Sequence, residues 1–380
     1  MADYLRQMPH QGSADLARRP SAAMRFHIDI PLLLLLLALT AYGLVVLYSG
    51  SGKDMGAVVR QARYFLLAYV IMFAIAQVSL ARIMRWAPWF YLAGLGMLVA
   101  VMLFGVGAKG AQRWLSLGGF RFQPSEIMKL MLPLTIAAYL ADRTLPPRFF
   151  PILVCLALMG VPAVLILQQP DLGTALLIAA SGLFVLFMAG LGWGYIFGAV
   201  VLAAASAWPA WMFVLKDYQK QRILTMLDPE SDKLGAGWNI IQSKTAIGSG
   251  GWEGKGWMSG TQSHLDFLPE SHTDFIIAVL SEEFGLRGVL VLMSLYLLIL
   301  LRGFWIGIRA RSSFGRMMAG SLTLTFFVYI FVNMGMVAGL LPVVGVPLPL
   351  VSAGGTSVVT LMAGFGVLMA ISTEKSTGHR

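Results

Sequence analysis

The sequence has few charged residues and a single cysteine. Of its 380 residues, 12% are Asp, Glu, Lys or Arg, whereas an average soluble domain has ~25%. The cysteine, Cys155, lies inside an apolar run, which excludes a disulfide framework and a thiolate metal site. The sequence also has no P-loop, no His/Cys metal spacing and no GxSxG motif. These absences argue against ATP-driven transport, zinc chemistry and serine hydrolysis.

Long hydrophobic runs are what the sequence has instead, since 58% of its residues are hydrophobic. A helix needs ~20 apolar residues to cross a bilayer. Ten segments meet this length, at 29–49, 64–80, 87–106, 124–141, 149–168, 172–190, 193–215, 274–304, 319–341 and 349–371. The predicted fold class is therefore an all-α integral membrane protein with about ten transmembrane helices and one large extracytoplasmic loop.

The eighth segment is too long for one crossing, because at ~1.5 Å per residue it would measure ~45 Å. We expect it to break near Gly285 and Gly288, so that the part from Asp274 forms a short interfacial or re-entrant helix. Glu283 and Arg287, four residues apart, are interpreted as a structural ion pair between helical turns.

The formal net charge of +10 indicates positive loops facing the cytoplasm and anionic lipid, not a nucleic-acid partner. Lys and Arg are more frequent in the connections on the side of both termini, which predicts that both termini are cytoplasmic. The expected division is a cytoplasmic tail (1–28), a membrane domain (29–371) that includes a large extracytoplasmic loop (216–272), and a C-terminal cytoplasmic tail (372–380).

The loop 216–272 contains the glycine-rich stretch GSGGWEGKG and three tryptophans, Trp238, Trp252 and Trp257. Low-complexity linkers lack such tryptophans. We therefore expect an ordered loop on the outer surface, with tryptophan at headgroup depth.

Four motifs are candidates for chemistry. In HTDFIIAVLSEEFGL, Asp274 enters an apolar segment; it is either a helix cap or a functional carboxylate at the membrane boundary. In GAQRWLSLGGFRFQPSEIMKL, Pro124 and Ser125 predict a helix start. Glu126 and Lys129, three residues apart, predict an ion pair, although a cation near the outer surface also suits a phosphate.

In the same motif, Arg113 and Trp114 are either interface anchors or a clamp for a sugar phosphate. The third motif, QPDLGT, has the residues of a short turn that ends one helix and caps the next. The fourth, PVVGVPLPLVSAGGTS, interrupts a helix, which is tolerated in membranes only where the backbone lines a cavity or is buried in protein.

Together these motifs resemble the SEDS family (shape, elongation, division, sporulation), and its elongation branch more than its division branch. The resemblance runs from the first predicted span to Gly364. Its most specific pieces are GWNIIQSKTAIGSGGWEGKGW and GTQSHLDFLPESHTDFI, supported by GAQRWLSLGGFRFQPSEIMKL, QQPDLGTALL and PLPLVSAGGTS. One departure is Ala353, where the family pattern has an aromatic residue.

The resemblance implies a peptidoglycan glycosyltransferase that polymerises lipid II, a disaccharide-pentapeptide on undecaprenyl pyrophosphate, into glycan strands. It implies a class B penicillin-binding protein (a transpeptidase) as partner, together with other proteins of the elongation complex. The catalytic aspartate of the family falls on Asp274, its functional tryptophan on Trp114, and its membrane-embedded pair on Glu126 and Lys129.

The residues themselves are compatible with this chemistry. An outward carboxylate can act as general base for an acceptor hydroxyl, and Asp266 and Glu270 are rivals of Asp274. The pyrophosphate leaving group needs cations or a divalent metal, Mg²⁺ or Mn²⁺. The candidate cations are Lys129, Arg113, Arg222 and Lys244. Two other functions stay open: a lipid II flippase, and a non-catalytic scaffold of the elongation machinery.

Overall fold

The computed structural model of the chain describes residues 26–108, 111–117, 120–232, 235–261 and 271–374. Most of both predicted tails lies outside these ranges, as do Asp266 and Glu270. The described residues form helices and a small sheet.

The first part of the chain contains helices α1 (Ile30–Gly50), α2 (Met55–Ala76) and α3 (Leu80–Phe104), strands β1 (Val106–Ala108), β2 (Ala111–Leu117) and β3 (Phe120–Phe122), and helices α4 (Pro124–Ala141), α5 (Phe149–Gln168) and α6 (Leu172–Met188). The second part contains α7 (Trp193–Pro209, continued by a π-helical turn, Ala210–Val214), α8 (Asp217–Leu227), a 3₁₀ turn (Pro229–Asp232), α9 (Ala236–Gly250), α10 (Ile276–Arg309), α11 (Ser313–Val337) and α12 (Thr356–Ser372).

Within the described residues, seven helices are long and apolar enough to cross a membrane: α1, α2, α3, α5, α7 with its π-helical turn, α10 and α11. Two shorter apolar helices, α6 and α12, overlap the predicted spans 172–190 and 349–371, although α12 begins seven residues after the predicted start. The remaining predicted span is α4, whose bounds match the prediction. The all-α membrane fold is thereby confirmed.

Helix α4 is the centre of the bundle, since 14 of its 18 residues are buried. Pro124 occupies the first turn, where its missing N–H and fixed φ are favourable. The helix packs against α3 and α6. Around this centre, α12 packs on α2, α11 packs on α6, and α10 packs on both α1 and α11.

Helix α10 is broken at Gly285, as predicted. Gly285 has φ 62° and ψ −161°, a backbone conformation that is essentially restricted to glycine. The glycine-rich segment 250–256 fills the break. Leu286 N–H donates to the carbonyl of Gly251 at 2.9 Å, and Lys255 N–H donates to the carbonyl of Glu282 at 2.9 Å.

The predicted ion pair between Glu283 and Arg287 is wrong. The break at Gly285 lies between them and removes the helical i,i+4 geometry. Arg287 Nη2 instead contacts Glu253 Oε1 at 2.8 Å, and Glu283 accepts a hydrogen bond from the Ser49 hydroxyl.

The connection between α3 and α4 is a three-stranded antiparallel sheet in the order β1-β2-β3, which the sequence analysis did not predict. Its signal is present in the sequence: two short alternating runs, RWLSL and FRF, flank Gly118 and Gly119. Such a pattern is typical of a hairpin.

The described part of the loop 216–272 is largely helical and consists of α8, the 3₁₀ turn and α9. Helix α9 packs on α10, and the Ser243 hydroxyl donates to the carbonyl of Val337 at 2.9 Å. Trp252 and Trp257 are exposed. The described part of the loop is therefore ordered, and its position relative to the lipid stays a prediction.

Candidate functional site in a polar cavity

A cavity of about 490 Å³ lies where helices α4, α6, α10 and α12 begin. We call it the polar cavity. Its charged lining residues are Arg113, Glu126, Lys129, Asp171, Arg222 and Asp274. The wall is completed by Trp114, Gln123, Thr174, Asn239, the turn before α10, parts of the non-helical segment 343–355 and the first two residues of α12. The interrupted fourth motif thus lines a cavity, as the break in its helix predicted.

Asp274 lies in a turn, residues 271–275, immediately before α10. The positive end of a helix dipole favours a carboxylate at this position. The carboxylate also comes close to Gly345, because a Cβ built on Gly345 would lie 3.5 Å from Asp274 Oδ2. Gly345 has φ +72°, so its turn both requires glycine and leaves room beside the carboxylate.

Glu126 and Lys129 form the ion pair that their spacing predicted. Lys129 Nζ lies 2.6 Å from Glu126 Oε1, and both side chains are buried. The ammonium also lies 4.9 Å from the ring centroid of Tyr329. The pair lines a second, smaller cavity of about 70 Å³. It therefore stands at the boundary between the polar cavity and an apolar interior formed largely by α11 and α12.

Arg113 in β2 connects the small sheet to the turn between α5 and α6. Its Nη2 donates to the carbonyl of Pro170 at 2.5 Å, and its Nε lies 3.6 Å from Asp171 Oδ2. Asp171 caps α6 by accepting a hydrogen bond from Thr174 N–H at 3.1 Å. The QPD motif is thus a helix cap, as interpreted, but it also lines the polar cavity.

Arg222 on α8 lines the cavity, with its guanidinium 6.0 Å from the ring centroid of Tyr218. It forms no ion pair with any residue that the structure describes. Arg222 is therefore the cavity cation with the least compensated charge.

Lys244 is the one predicted site residue that the structure leaves outside the cavity. It is exposed on α9, and its Nζ would lie 2.6 Å from a Cβ built on Gly339. Asn239, five residues earlier on the same helix, faces the cavity instead. Five residues advance ~140° around a helix at ~3.6 residues per turn, so the two side chains cannot share one face.

Six further polar residues of the cavity wall were not predicted as site residues: Gln123, Thr174, Asn239, Thr273, Thr356 and Ser357. Gln123 and Thr174 belong to motifs that were already under consideration, next to Pro124 and Asp171. Asn239 stands in a helix of the long loop, and no spacing rule connects it to the membrane segments.

The fold and the cavity define an integral membrane protein with a charged chamber of about 490 Å³ at one end of a helical bundle. A family model described as "Cell cycle protein" (FtsW, RodA, SpoVE) matches residues 30–377. The chain belongs to this family, which confirms the SEDS resemblance.

Individual relatives agree with this assignment. The chain is 54% identical over 351 residues to the peptidoglycan glycosyltransferase MrdB of Escherichia coli strain K12, covering 92% of this chain and 95% of MrdB. Among solved structures, it resembles a chain from a peptidoglycan synthase complex that coordinates polymerization and crosslinking (TM-score 0.80, 31% identity, 92% of this chain and 99% of that one). It also resembles the rod shape determining protein RodA of Thermus thermophilus (TM-score 0.70, 28% identity, 92% and 98%).

Proposed function

We propose that this chain is a peptidoglycan glycosyltransferase that polymerises lipid II into glycan strands during cell elongation, with Asp274 as its general base. The observation that carries the proposal is the shared cavity: Asp274, three cations and Trp114 line the same chamber. The similarity to MrdB, named a peptidoglycan glycosyltransferase, supports the reaction class.

In the proposed reaction, the 4-hydroxyl of the acceptor sugar attacks the anomeric carbon of the growing strand. Asp274 takes the hydroxyl proton as the new C–O bond forms. The bond between the anomeric carbon and the pyrophosphate oxygen breaks, and undecaprenyl pyrophosphate leaves with the electron pair. General-base assistance of this kind contributes ~10²–10⁴-fold. Trp114 offers a flat apolar face for a sugar ring at the cavity wall.

The departing pyrophosphate needs positive charge around its oxygens. Lys129 and Arg113 already face Glu126 and Asp171 at 2.6 Å and 3.6 Å. We therefore assign the main electrostatic contact to Arg222, with Lys129 and Arg113 adding hydrogen bonds. Lys244 is no longer a candidate, because it is exposed outside the cavity.

For a divalent cation, Mg²⁺ or Mn²⁺, this chamber offers few protein ligands. Within the described residues, no group of three or more His, Cys, Asp or Glu side chains converges on one point. Mg²⁺ is commonly held by one or two carboxylates and by substrate phosphates. Asp171 lines the cavity and would be the carboxylate that helps to hold such an ion, since Asp274 is assigned to the proton transfer; the ion would supply charge to the pyrophosphate.

The proposed location is the bacterial cytoplasmic membrane, with both termini cytoplasmic and the loop 216–272 outside. The proposed partner is a class B penicillin-binding protein, together with other elongation-complex proteins. The similarity to a chain of a peptidoglycan synthase complex supports this partner. We expect polymerisation to be faster in the complex than with the isolated chain.

A flippase would need polar groups along a path through the bundle. The lining of the polar cavity comes instead from the first turns of α4, α6 and α12, from the turn before α10, and from segments next to them. This concentration at one end favours the enzyme. A scaffold would make Asp274 dispensable, which the following experiment addresses.

The test is polymerisation of lipid II by the purified chain with its partner while crosslinking is blocked. The wild type is expected to form glycan strands, and Asp274→Asn, which keeps the shape but cannot accept the proton, should lose at least ~10²-fold in rate. Glu253→Gln is the matched control, since Glu253 is an exposed carboxylate with a single ion-pair partner. Full activity of Asp274→Asn together with inactivity of Glu270→Gln would move the base to Glu270.

A further inference from the structure

The turn that carries Asp274 is held by an unusual set of hydrogen bonds. Residues 271–275 are turns, not regular helix. Their carbonyl groups therefore cannot rely on a continuous i,i+4 ladder to fix the backbone. The orientation of the Asp274 side chain depends on whatever else binds these carbonyls.

Three consecutive carbonyls of the turn accept hydrogen bonds from α11 and from residues 352–353. The Ala353 N–H donates to His272 O at 2.9 Å. The Ser352 hydroxyl donates to Thr273 O at 2.5 Å, and Asn333 Nδ2 donates to Asp274 O at 2.9 Å. One donor is main chain and two are side chains.

Asn333 is wholly buried on α11, and its second amide hydrogen reaches Val346 O at 2.7 Å. The amide orientation follows from these contacts, because the reversed amide would place Oδ1 against two carbonyl oxygens. Asn333 thus ties the turn that carries Asp274 to the non-helical segment that contains Gly345.

Ser352 makes a similar connection. Its hydroxyl oxygen accepts a hydrogen bond from Leu348 N–H at 2.8 Å, so its single proton is available for Thr273 O. The side chain is buried, so solvent cannot easily replace Thr273 O as the acceptor of that proton. Ser352 therefore fixes both its own loop and the residue next to Asp274.

We infer that Asn333 and Ser352 are positioning residues, which hold the backbone of the turn so that the Asp274 carboxylate meets the acceptor hydroxyl. This inference rests on the proposed role of Asp274 as general base. Neither side chain reaches the substrate in this role. A displacement of ~1 Å in a reacting group can cost ~10²-fold in rate, so the loss of either donor lowers kcat.

The test compares three variants of the full chain in complex with its partner. Ser352→Ala removes the donor to Thr273 O and the acceptor of Leu348 N–H, and Asn333→Leu removes two donors at similar size. Ser321→Ala is the matched control, because Ser321 is also fully buried on α11 and donates to a carbonyl, Ser181 O, at 2.8 Å. All three lose a buried hydrogen bond, but only the first two affect the turn.

The expected result is a fall in kcat of about tenfold for Ser352→Ala and about 10²-fold for Asn333→Leu, with the KM for lipid II changed less than about threefold. Ser321→Ala should keep the wild-type kcat. Ser352→Cys, whose thiol is a weak donor of nearly the same size, should fall between serine and alanine. Hydrogen exchange of the amides in 271–275 should quicken in the first two variants only.

Equal kcat values for Ser352→Ala and Ser321→Ala would overturn the inference while leaving the base assignment intact. If Asn333→Leu fails to fold, Ser352→Ala and Ser352→Cys carry the comparison. A wild type that makes no strands, or a fully active Asp274→Asn, would instead count against the proposed function.

Discussion

Helix α10 has two halves with different surroundings. Before the break at Gly285, every residue from Ile276 to Glu283 is buried, including two glutamates. After the break, burial is confined to a stripe that repeats every three or four residues, from Gly288 and Leu292 to Ile306. We call these parts the enclosed half (276–284) and the open half (286–309).

The two halves differ in what surrounds them. The open half needs one packed face, and its other residues, such as Leu290 and Leu297, are exposed, as lipid contact requires. The enclosed half follows Asp274 and is surrounded by protein. Carboxylates are tolerated there because each has a partner, such as Lys255 Nζ at 2.7 Å from Glu282 Oε1.

The largest loss of stability is expected from a substitution at Gly285, where the two halves meet. In Gly285→Ala, the new Cβ would lie 2.3 Å from Gly254 N. A loss of about 3 kcal/mol or more follows, since backbone strain and overpacking each cost ~1–3 kcal/mol. Size-exclusion chromatography and thermal unfolding of the detergent-solubilised protein measure it.

The matched control for the break is Gly307→Ala in the open half. Its new Cβ would meet Ala319 Cβ at 3.4 Å, an ordinary contact. Wild-type stability is expected for this variant. Equal stabilities of the two variants would remove the distinction between the halves.

The second effect concerns Glu126, a buried carboxylate of the cavity wall. Glu126→Ala should impair folding more than the double variant Glu126→Ala/Lys129→Ala, because it leaves a buried ammonium without its partner. An uncompensated charge within the membrane costs ~2.5–3.5 kcal/mol on insertion scales. The yield of folded protein and the polymerisation rate are the measurements. A double variant that folds well but is inactive would assign Lys129 to substrate binding.

A third, smaller effect distinguishes enclosed from exposed ion pairs. Lys255→Met removes the ammonium that faces the fully buried Glu282, while the hydrogen bonds from the Thr261 N–H and hydroxyl remain; it should cost about 2 kcal/mol, within the ~1.5–3 kcal/mol of a hydrogen bond to a charged group. Arg287→Met breaks an exposed pair, with side chains 58% and 72% accessible, and should cost less than ~1 kcal/mol. Thermal unfolding compares the two, and equal losses would contradict the assignment of Glu282 to an enclosed environment.

The smallest effect on activity is expected from single cysteines that are introduced to label the two sides of the bundle. Gly248 has open space around its Cβ position and lies on α9, which packs on α10. Arg311 is exposed after the open half. Single cysteines at these positions, in a Cys155→Ala background, should keep activity and react with impermeant reagents from opposite sides of the membrane. Labelling from the same side would reverse the proposed topology.

The sequence predicted the parts of the fold that depend on hydrophobic length. The bounds of α4 and α5 agree with the predictions, because Pro124 marks the start of α4 and prolines stand shortly before and after α5. The break in α10 was predicted from its excessive length and two glycines. The sheet before α4 was missed, since strands of three residues give little periodic signal beside strong membrane helices.

The site was predicted in part. Asp274, Trp114 and the pair Glu126–Lys129 come from short, specific motifs, and the structure brings them to one cavity. The partner of Arg287 was predicted wrongly, and Lys244 lies outside the cavity; the surroundings of both depend on how the loop 216–272 folds. Asn333 gave no signal either, because a lone asparagine in an apolar helix does not reveal which carbonyl groups it will reach.

Helix α7 has a consequence for the response of the protein to its lipid. None of its residues is buried among the described parts of the chain, although its 22 residues from Trp193 to Val214 are long enough, at ~1.5 Å each, to span ~33 Å. Its tilt therefore depends more on hydrocarbon thickness than on packing against neighbouring helices. An apolar helix that is longer than the hydrocarbon thickness accommodates the difference by tilting. In thinner bilayers α7 should lean over while the packed helices around α4 keep their angles.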